Sequence, residues 1–330
     1  MDKVRCAVVG VGYLGRFHAQ KYKAIEDAVL VGVCDASFER AQTVATELSV
    51  PAFADYHELK GKVDAVTIAS TTRTHYEISK FFLENGVHVN VEKPMTVTLE
   101  EADELVRIAK TKNLKLQVGH VERFNPALQS AREKLGVPLF IECHRLAAFK
   151  PRGVDVDVVL DLMIHDLDVI LSLVKSPVKS VSAVGAPVLT KLVDIANARI
   201  EFESGTVANV TASRVSQTAT RKFRVFQHDQ YLSIDFGSGE LNLTTKKGEW
   251  KDDSIPLEFD SWSLEKGDAL LAETKAFINS IKTGAPVVVG GEDGLVAMRV
   301  AMQVQKEIAL RLSTFDLARG AKAPVDLPRL

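Results

Sequence analysis

A doubly wound parallel α/β sheet, followed by an α+β domain with an open, mostly antiparallel sheet, is the architecture this sequence predicts. Three observations carry that expectation. Up to about residue 120, short β-branched runs alternate with longer amphipathic stretches. After about residue 125 the pattern changes to strand-like segments joined by tight turns. The 330 residues also exceed what one hydrophobic core ordinarily organises.

Taken in order, Val4–Val9, Val29–Cys34, Ala65–Ala69, Val87–Val91 and Leu114–Val118 read as strands buried on both faces. Leu14–Ile25, Ser37–Leu48, His75–Glu84 and Leu99–Lys110 lie between them with helical spacing, so each crossover predicts a parallel neighbour. Asn125–Lys134 reads as a helix, Leu139–Ala148 as a strand and Val156–Leu173 as a long apolar helix. Ile195–Phe202, Val207–Arg214, Phe223–Gln227, Tyr231–Asp235 and Glu240–Thr245 are strand-like, with turn chemistry at Ser204-Gly205, Asp229-Gln230 and Gly237–Gly239. Asp268–Lys282 and Gly294–Leu312 predict two late helices that cover one face of this second sheet. The expected division is 1–122 and 123–330.

Composition narrows the function classes. Hydrophobic residues make up 46% and charged residues 25%, which favours a sizeable core over disorder. Forty-one basic against 43 acidic residues leave a net charge of −2, which argues against a nucleic-acid partner. No apolar stretch approaches bilayer length, and the N-terminus lacks a signal-peptide pattern, so a cytoplasmic protein is expected. Cys6, Cys34 and Cys143 are too few and scattered for a disulfide framework or a zinc site, and no metal is predicted.

Gly10-Val11-Gly12-Tyr13-Leu14-Gly15 follows a predicted strand and opens a helix. Gly10 permits the tight turn, Gly12 lets backbone approach a pyrophosphate, and Gly15 allows close helix–strand packing. Asp35 ends the second strand, where a carboxylate accepts hydrogen bonds from an adenosine ribose; a plain helix N-cap is the alternative. A Rossmann site binding NAD rather than NADP follows, because Asp35 repels a 2′-phosphate, although Arg40 one turn on softens that discrimination.

Glu92-Lys93-Pro94 at the end of the fifth strand, with the glycine motif and Asp161-Leu-Met-Ile-His165, resembles the glucose–fructose oxidoreductase/inositol dehydrogenase (Gfo/Idh/MocA) family. The resemblance covers essentially the whole chain and implies nicotinamide-dependent oxidation of a pyranose or cyclitol. One departure stands out: where the family has Thr-Pro-Asn before a histidine, this chain has Ser70-Thr71-Thr72 before His75. Cofactor contacts from Ser70, Thr71, His75 and Glu92 are implied on that basis. The blocks Gly119–Pro126 and Val159–Asp168 are similar to the branch that oxidises the 3-hydroxyl of UDP-N-acetylglucosamine, supplying a 3-keto sugar to an aminotransferase. Inositol or free-sugar oxidation, and a non-catalytic NAD-binding regulator, are the competing readings.

Alcohol oxidation needs a base for the hydroxyl proton and a cation beside the developing alkoxide. On an ideal α-helix Asp157, Asp161, His165 and Asp168 form one stripe, while Asp166 points away. His165 is the candidate base and Asp161, at i−4, its supporting carboxylate; an ordinary solvent face is the bland alternative. Lys93 sits at the carboxyl end of a parallel strand, where open α/β sheets bind ligands, and is the candidate cation; it otherwise neutralises Glu92 at the surface. Pro94 leaves the preceding bond open between cis and trans. Arg123 suits a diphosphate and Asn125 a sugar hydroxyl, with a hinge ion pair and an Asn-Pro helix start as equal alternatives. Asp168, His120, Arg152 and Arg145 complete the substrate candidates, His120 being equally readable as a buried structural histidine. Alternation along the second-domain strands predicts a homodimer or homotetramer through the sheet's open face.

Overall fold

A computed structural model describes residues 3–149, 156–249, 254–265 and 267–320. Two compact units are present: residues up to Ser130 with Glu265–Met298, and Ala131–Leu264 with the chain from Arg299 onward.

In the first unit, β1 (Val4–Val9), α1 (Tyr13–Lys23), β2 (Ala28–Cys34), α2 (Phe38–Leu48), β3 (Ala52–Phe53), β4 (Ala65–Ile68), α3 (Thr72–Glu84), β5 (His88–Glu92), α4 (Leu99–Thr111) and β6 (Leu116–Gly119) follow one another. The sheet order is β3-β2-β1-β4-β5-β6, with every pair parallel. The chain reverses direction of travel between β1 and β4, the switch point at which such sheets open a crevice for ligands. Side chains of β1, β4 and β5 are almost wholly buried, as strands covered on both faces must be. Helices start where sequence chemistry permits: Thr98 and Glu101 close a capping box ahead of α4, and Ser37 caps α2.

The second unit holds α5 (Pro126–Ala131, shared with the first), β7 (Phe140–Leu146), α6 (Ile164–Leu173), β8 (Val178–Ala186), β9 (Ile195–Phe202), β10 (Val207–Ser213), β11 (Thr220–Gln227), β12 (Gln230–Asp235), β13 (Glu240–Lys246) and β14 (Leu257–Ser263). Its eight strands run β14-β13-β12-β11-β7-β10-β9-β8 and are antiparallel except for β7 beside β10. One face buries Ile141, Cys143, Ala198, Ile200, Val210, Phe223 and Ile234, with α6 packed on β7 and β10. Asn197 and Thr211 hydrogen-bond at 2.9 Å on the opposite, more polar face. Among the described residues no helix is long and apolar enough to cross a membrane.

Two expectations need correction. The helix α7 (Ala269–Thr283) does not cover the second sheet; it packs on α1, β1 and the turn Val121–Phe124. Its Phe277 and Ile278 join Val4, Val8, Tyr22 and Leu30 in the first unit's core. The opening of α8 (Gly291–Gly320) belongs to the same unit: a Cβ at Gly294 would come within 2.7 Å of Val118. A division at 122/123 is therefore replaced by a discontinuous one, because the apolar face of α7 matches a hydrophobic surface built by residues more than two hundred positions earlier. Later turns of α8 do join the second unit, with Ile308 beside Gly185.

Candidate active site

The first unit's site grows from the turn after β1. Gly10 has φ +84°, and a Cβ there would lie 2.4 Å from the Ser70 nitrogen. At Gly15 a Cβ would meet the Gly10 carbonyl at 1.8 Å, so glycine alone lets α1 start against the strand. Gly12 differs: nothing lies within 4 Å of its missing Cβ. No side chain caps α1, so its first-turn N–H groups face an open space suited to an anion. That space continues into a cleft of ≈ 360 Å³ edged by Val11, Gly12, Tyr13, Arg16, Phe17 and Arg40. Tyr13 and Leu14, on the first turn, are exposed beside it.

Asp35 follows the end of β2 beside this space. It does not cap α2, since Ser37 does that. Its Oδ2 accepts the Val11 N–H at 2.9 Å and its Oδ1 the Ser37 N–H at 2.9 Å, which holds the buried carboxylate at the strand's end. Arg40 reaches it at 3.3 Å. These residues fit a nicotinamide dinucleotide: an uncapped helix N-terminus over a glycine floor, and an acid at the second strand's end.

Ser70, Thr71 and His75 lie at the adjoining strand end, around the start of α3. The departure from Thr-Pro-Asn is compensated by hydroxyls: Thr74 Oγ1 donates to the Thr71 carbonyl at 2.9 Å and shares a 2.8 Å bond with Ser70 Oγ. His75 is buried, with Nδ1 3.0 Å from the Pro94 carbonyl and Nε2 3.1 Å from that of Ser70. Burial pushes its pKa down against the pull of both carbonyls. His75 thus ties two loops together, a connecting role that spacing did not foretell. The Lys93–Pro94 bond is cis. Glu92 turns inward, its Oε1 2.8 Å from His18 Nε2 and its Oε2 accepting the Lys93 N–H at 3.3 Å.

Arg123 and Asn125 support their structural alternatives. Arg123 is buried, 3.4 Å from Asp293, and its carbonyl accepts from Gln129. Asn125 Oδ1 accepts the Ala127 N–H at 3.0 Å and its amide donates to Glu122, an Asn-Pro helix start. His120 is also buried, at the head of the Val121–Phe124 turn.

In the second unit the helix carrying Asp161 and His165 is not a continuous α-helix. Val159–Met163 is a π turn and α6 begins at Ile164. Hydrogen bonds there run i→i+5, so the ideal stripe drawn through Asp157 to Asp168 is altered. Asp157 leaves it altogether: Oδ1 accepts the Val159 and Leu160 N–H groups at 3.0 and 3.1 Å, and Oδ2 bonds Gln305. Asp161 and His165 are half-buried, whereas Asp168 is buried. Such π turns recur at functional sites. Asp166 points away as expected, into a buried pair with Arg145 (2.8 Å to each oxygen), so Arg145 is engaged in anchoring the helix to β7. Arg152 lies outside the described residues.

A second buried pair was not foreseen. Asp194 accepts N–H groups from Val188, Leu189 and Thr190 at 2.6–2.8 Å and Arg214 Nε at 2.8 Å. Burial alone would raise its pKa; those bonds hold it well below the carboxylate range. Arg214 also donates to the Val156 carbonyl at 2.8 Å, fixing the chain that enters the π turn. Asp194 and Arg214, charged residues flanking strand-like apolar runs, were the signal available in the sequence.

The first unit thus sets an open helix N-terminus beside a strand-end acid, an arrangement that fits a dinucleotide. Residues 4–120 match the oxidoreductase family with an NAD-binding Rossmann fold, and residues 131–232 match the Gfo/Idh/MocA C-terminal domain. A UDP-N-acetylglucosamine 3-dehydrogenase from Acidithiobacillus ferrooxidans is 42% identical over 92% of this chain and 97% of its own. The myo-inositol 2-dehydrogenase of Thermotoga maritima is 26% identical over 92% and 96%. A solved structure of the Acidithiobacillus enzyme has a TM-score of 0.87 at 41% identity, covering 93% of this chain and 98% of the other. The chain belongs to the Gfo/Idh/MocA family of NAD-dependent sugar oxidoreductases.

Proposed function

We propose that this chain oxidises the 3-hydroxyl of UDP-N-acetylglucosamine with NAD, giving a 3-keto sugar that an aminotransferase consumes. The observation that carries this reading is the 42% identity, over nearly the full length of both chains, to an enzyme of that activity. Gly12 and the first turn of α1 would hold the pyrophosphate, and Asp35 the adenosine ribose. When bound, NAD supplies the acceptor for the hydride leaving carbon. Lys93 hydrogen-bonds the reacting hydroxyl and favours its alkoxide, while His165 takes the proton at a ring nitrogen and Asp161 supports the resulting imidazolium. Asp168 is assigned to the sugar. The polar face of the second sheet, with half-buried Val207, Asn209 and Thr211, supports a homodimer or homotetramer, which light scattering measures.

The test mixes the protein, NAD, UDP-N-acetylglucosamine, an amino donor and a pyridoxal-dependent aminotransferase. A 3-amino sugar nucleotide is expected. The inositol alternative has the Thermotoga relative in its favour; faster turnover of inositol or a free hexose, with no 3-amino product, would replace the reading.

A further inference from the structure

Behind Lys93 lies a group of buried polar side chains that the hydride chemistry itself does not use. His18, on α1 three residues past Gly15, is fully buried, and its Nε2 meets Glu92 Oε1 at 2.8 Å. The other Glu92 oxygen holds the backbone N–H of Lys93. Gly119 on the neighbouring strand leaves room for this carboxylate: a Cβ there would come within 3.1 Å of Glu92 Cδ and Oε2. Glu273 of α7 is fully buried in the same group, its Oε1 accepting Asn90 Nδ2 at 3.4 Å. Gln117 Nε2 reaches the Asn90 amide oxygen and the Glu273 carbonyl, each at 3.4 Å. Asn90 Nδ2 also reaches Thr67, which bonds the Tyr22 hydroxyl at 2.7 Å. Polar residues inside doubly buried strands are costly unless satisfied, and here side chains of α1, β4, β5, β6 and α7 gather around two buried carboxyl groups, His18 on Glu92 and Asn90 on Glu273.

We propose that His18 is a positioning residue for Lys93: through Glu92 it fixes the Lys93 backbone at the strand end and balances the carboxylate's charge beside the Lys93 ammonium. The inference rests on the reading that Lys93 acts on the substrate hydroxyl. The charged and titratable groups facing the cluster are Lys21 on α1, Tyr22, Lys93, His75 and Glu273. Burial would drive His18 toward its neutral form, but the bond to Glu92 and its charge keep its pKa above the ordinary value. Burial would likewise raise Glu92, and His18 outweighs it. Glu273, desolvated and close to Glu92, is pushed up to about 8.

The test compares His18→Gln, which keeps an N–H donor for Glu92, with His18→Leu, which does not, and with Lys93→Met. Turnover of UDP-N-acetylglucosamine is followed against pH, alongside NAD affinity and Tm. His18→Leu should lower kcat by about 10–100-fold with NAD affinity nearly unchanged, and His18→Gln should recover part of the loss. Replacing His18 removes the titrating ring that sits against Glu92 beside Lys93. The pH dependence of kcat should then change shape in His18→Gln above about pH 6.5, the range into which Glu92 raises the His18 pKa. A kcat profile in His18→Gln that keeps the wild-type shape overturns the proposal, whether or not His18→Leu folds, because a merely structural histidine would lower Tm and leave that shape in place. Wild-type turnover in Lys93→Met would instead overturn the role of Lys93, and this inference with it.

Discussion

Replacing the three glycines of the first turn one at a time separates binding from folding. Gly12→Ala adds a methyl to space in which nothing lies within 4 Å. The residue's φ of −67° is negative, so alanine there avoids the left-handed conformation that Gly10 requires. Loss of a better N-cap residue and gain from a stiffer unfolded chain nearly offset, each about 0.5–1 kcal/mol, which leaves Tm within about 4 °C. The same methyl stands where a diphosphate must approach the α1 N–H groups. One or two charge-assisted hydrogen bonds at about 1.5–3 kcal/mol each put the loss of NAD affinity at roughly 10-fold to more than 100-fold. Gly15→Ala and Gly10→Ala should behave oppositely. Their Cβ atoms would fall 1.8 and 2.4 Å from backbone, and Gly10 adds a left-handed φ worth about 1–2 kcal/mol, so both should lower Tm sharply. Isothermal titration with NAD and a thermal melt on each variant give both readouts. Wild-type affinity in Gly12→Ala, or a collapse of its Tm, would refute the assignment of that open space to the cofactor.

Four further outcomes follow from the same geometry. His165→Asn should lower kcat by about 10²-fold or more and leave NAD affinity unchanged, as steady-state kinetics with a separate binding titration will show. Arg123→Ala should reduce Tm by about 2–6 °C, a discounted value because its partner Asp293 is 45% exposed; KM for the sugar nucleotide should stay within about threefold. A tenfold rise in KM would return Arg123 to the diphosphate. Asp194→Asn removes the charge that Arg214 Nε and three backbone N–H groups share and should destabilise by about 3–5 kcal/mol in denaturant melts near neutral pH. Because the Asp194 pKa is depressed, that contribution is complete above its unfolded value and fades as pH falls below about 4. Glu273 has the opposite sign. Its raised pKa means the fold binds more protons than the unfolded chain, so stability should decline as pH rises from about 4.5 to about 8, and Glu273→Gln should flatten that decline.

The first unit was legible because its chemistry is local: strand, glycine turn, helix and strand-end acid follow one another within Val4–Asp35. Lys93 and the Asp161/His165 pair were proposed from short blocks of the same kind. What escaped was non-local. α7 looks like any amphipathic helix, and only the three-dimensional match of Phe277 and Ile278 to the first core reveals its place. Arg123 and Asp293 are separated by 170 positions, so the sequence could set an ion pair beside a phosphate reading without naming its partner. The π turn at Val159–Met163 leaves no compositional mark, and it displaced Asp157 from the stripe that ideal geometry had drawn. β8 and β14 were passed over because Val178–Ala186 mixes polar and apolar residues irregularly and Leu257–Ser263 is an exposed edge. β3, two residues long, gave no periodicity. His18, Asn90 and Gln117 did carry a signal, polar residues in otherwise apolar elements, whose partners lie on other elements.

The discontinuity of the cofactor-binding unit governs the order in which the protein is made. Synthesis delivers β1 to β6 first, but the segment whose Val289 carbonyl accepts the Val118 N–H and whose Phe277 enters the core emerges only after the whole second sheet. At about 5–20 residues per second, the nascent sheet waits roughly 10–30 s with that surface uncovered. A chaperone that shields apolar surface on ribosome-bound chains would be engaged throughout that interval. The same arrangement restricts engineering: a fragment ending near residue 130 lacks part of its own core, whereas a circular permutant opening the chain between the units would let residues 265–298 precede β1.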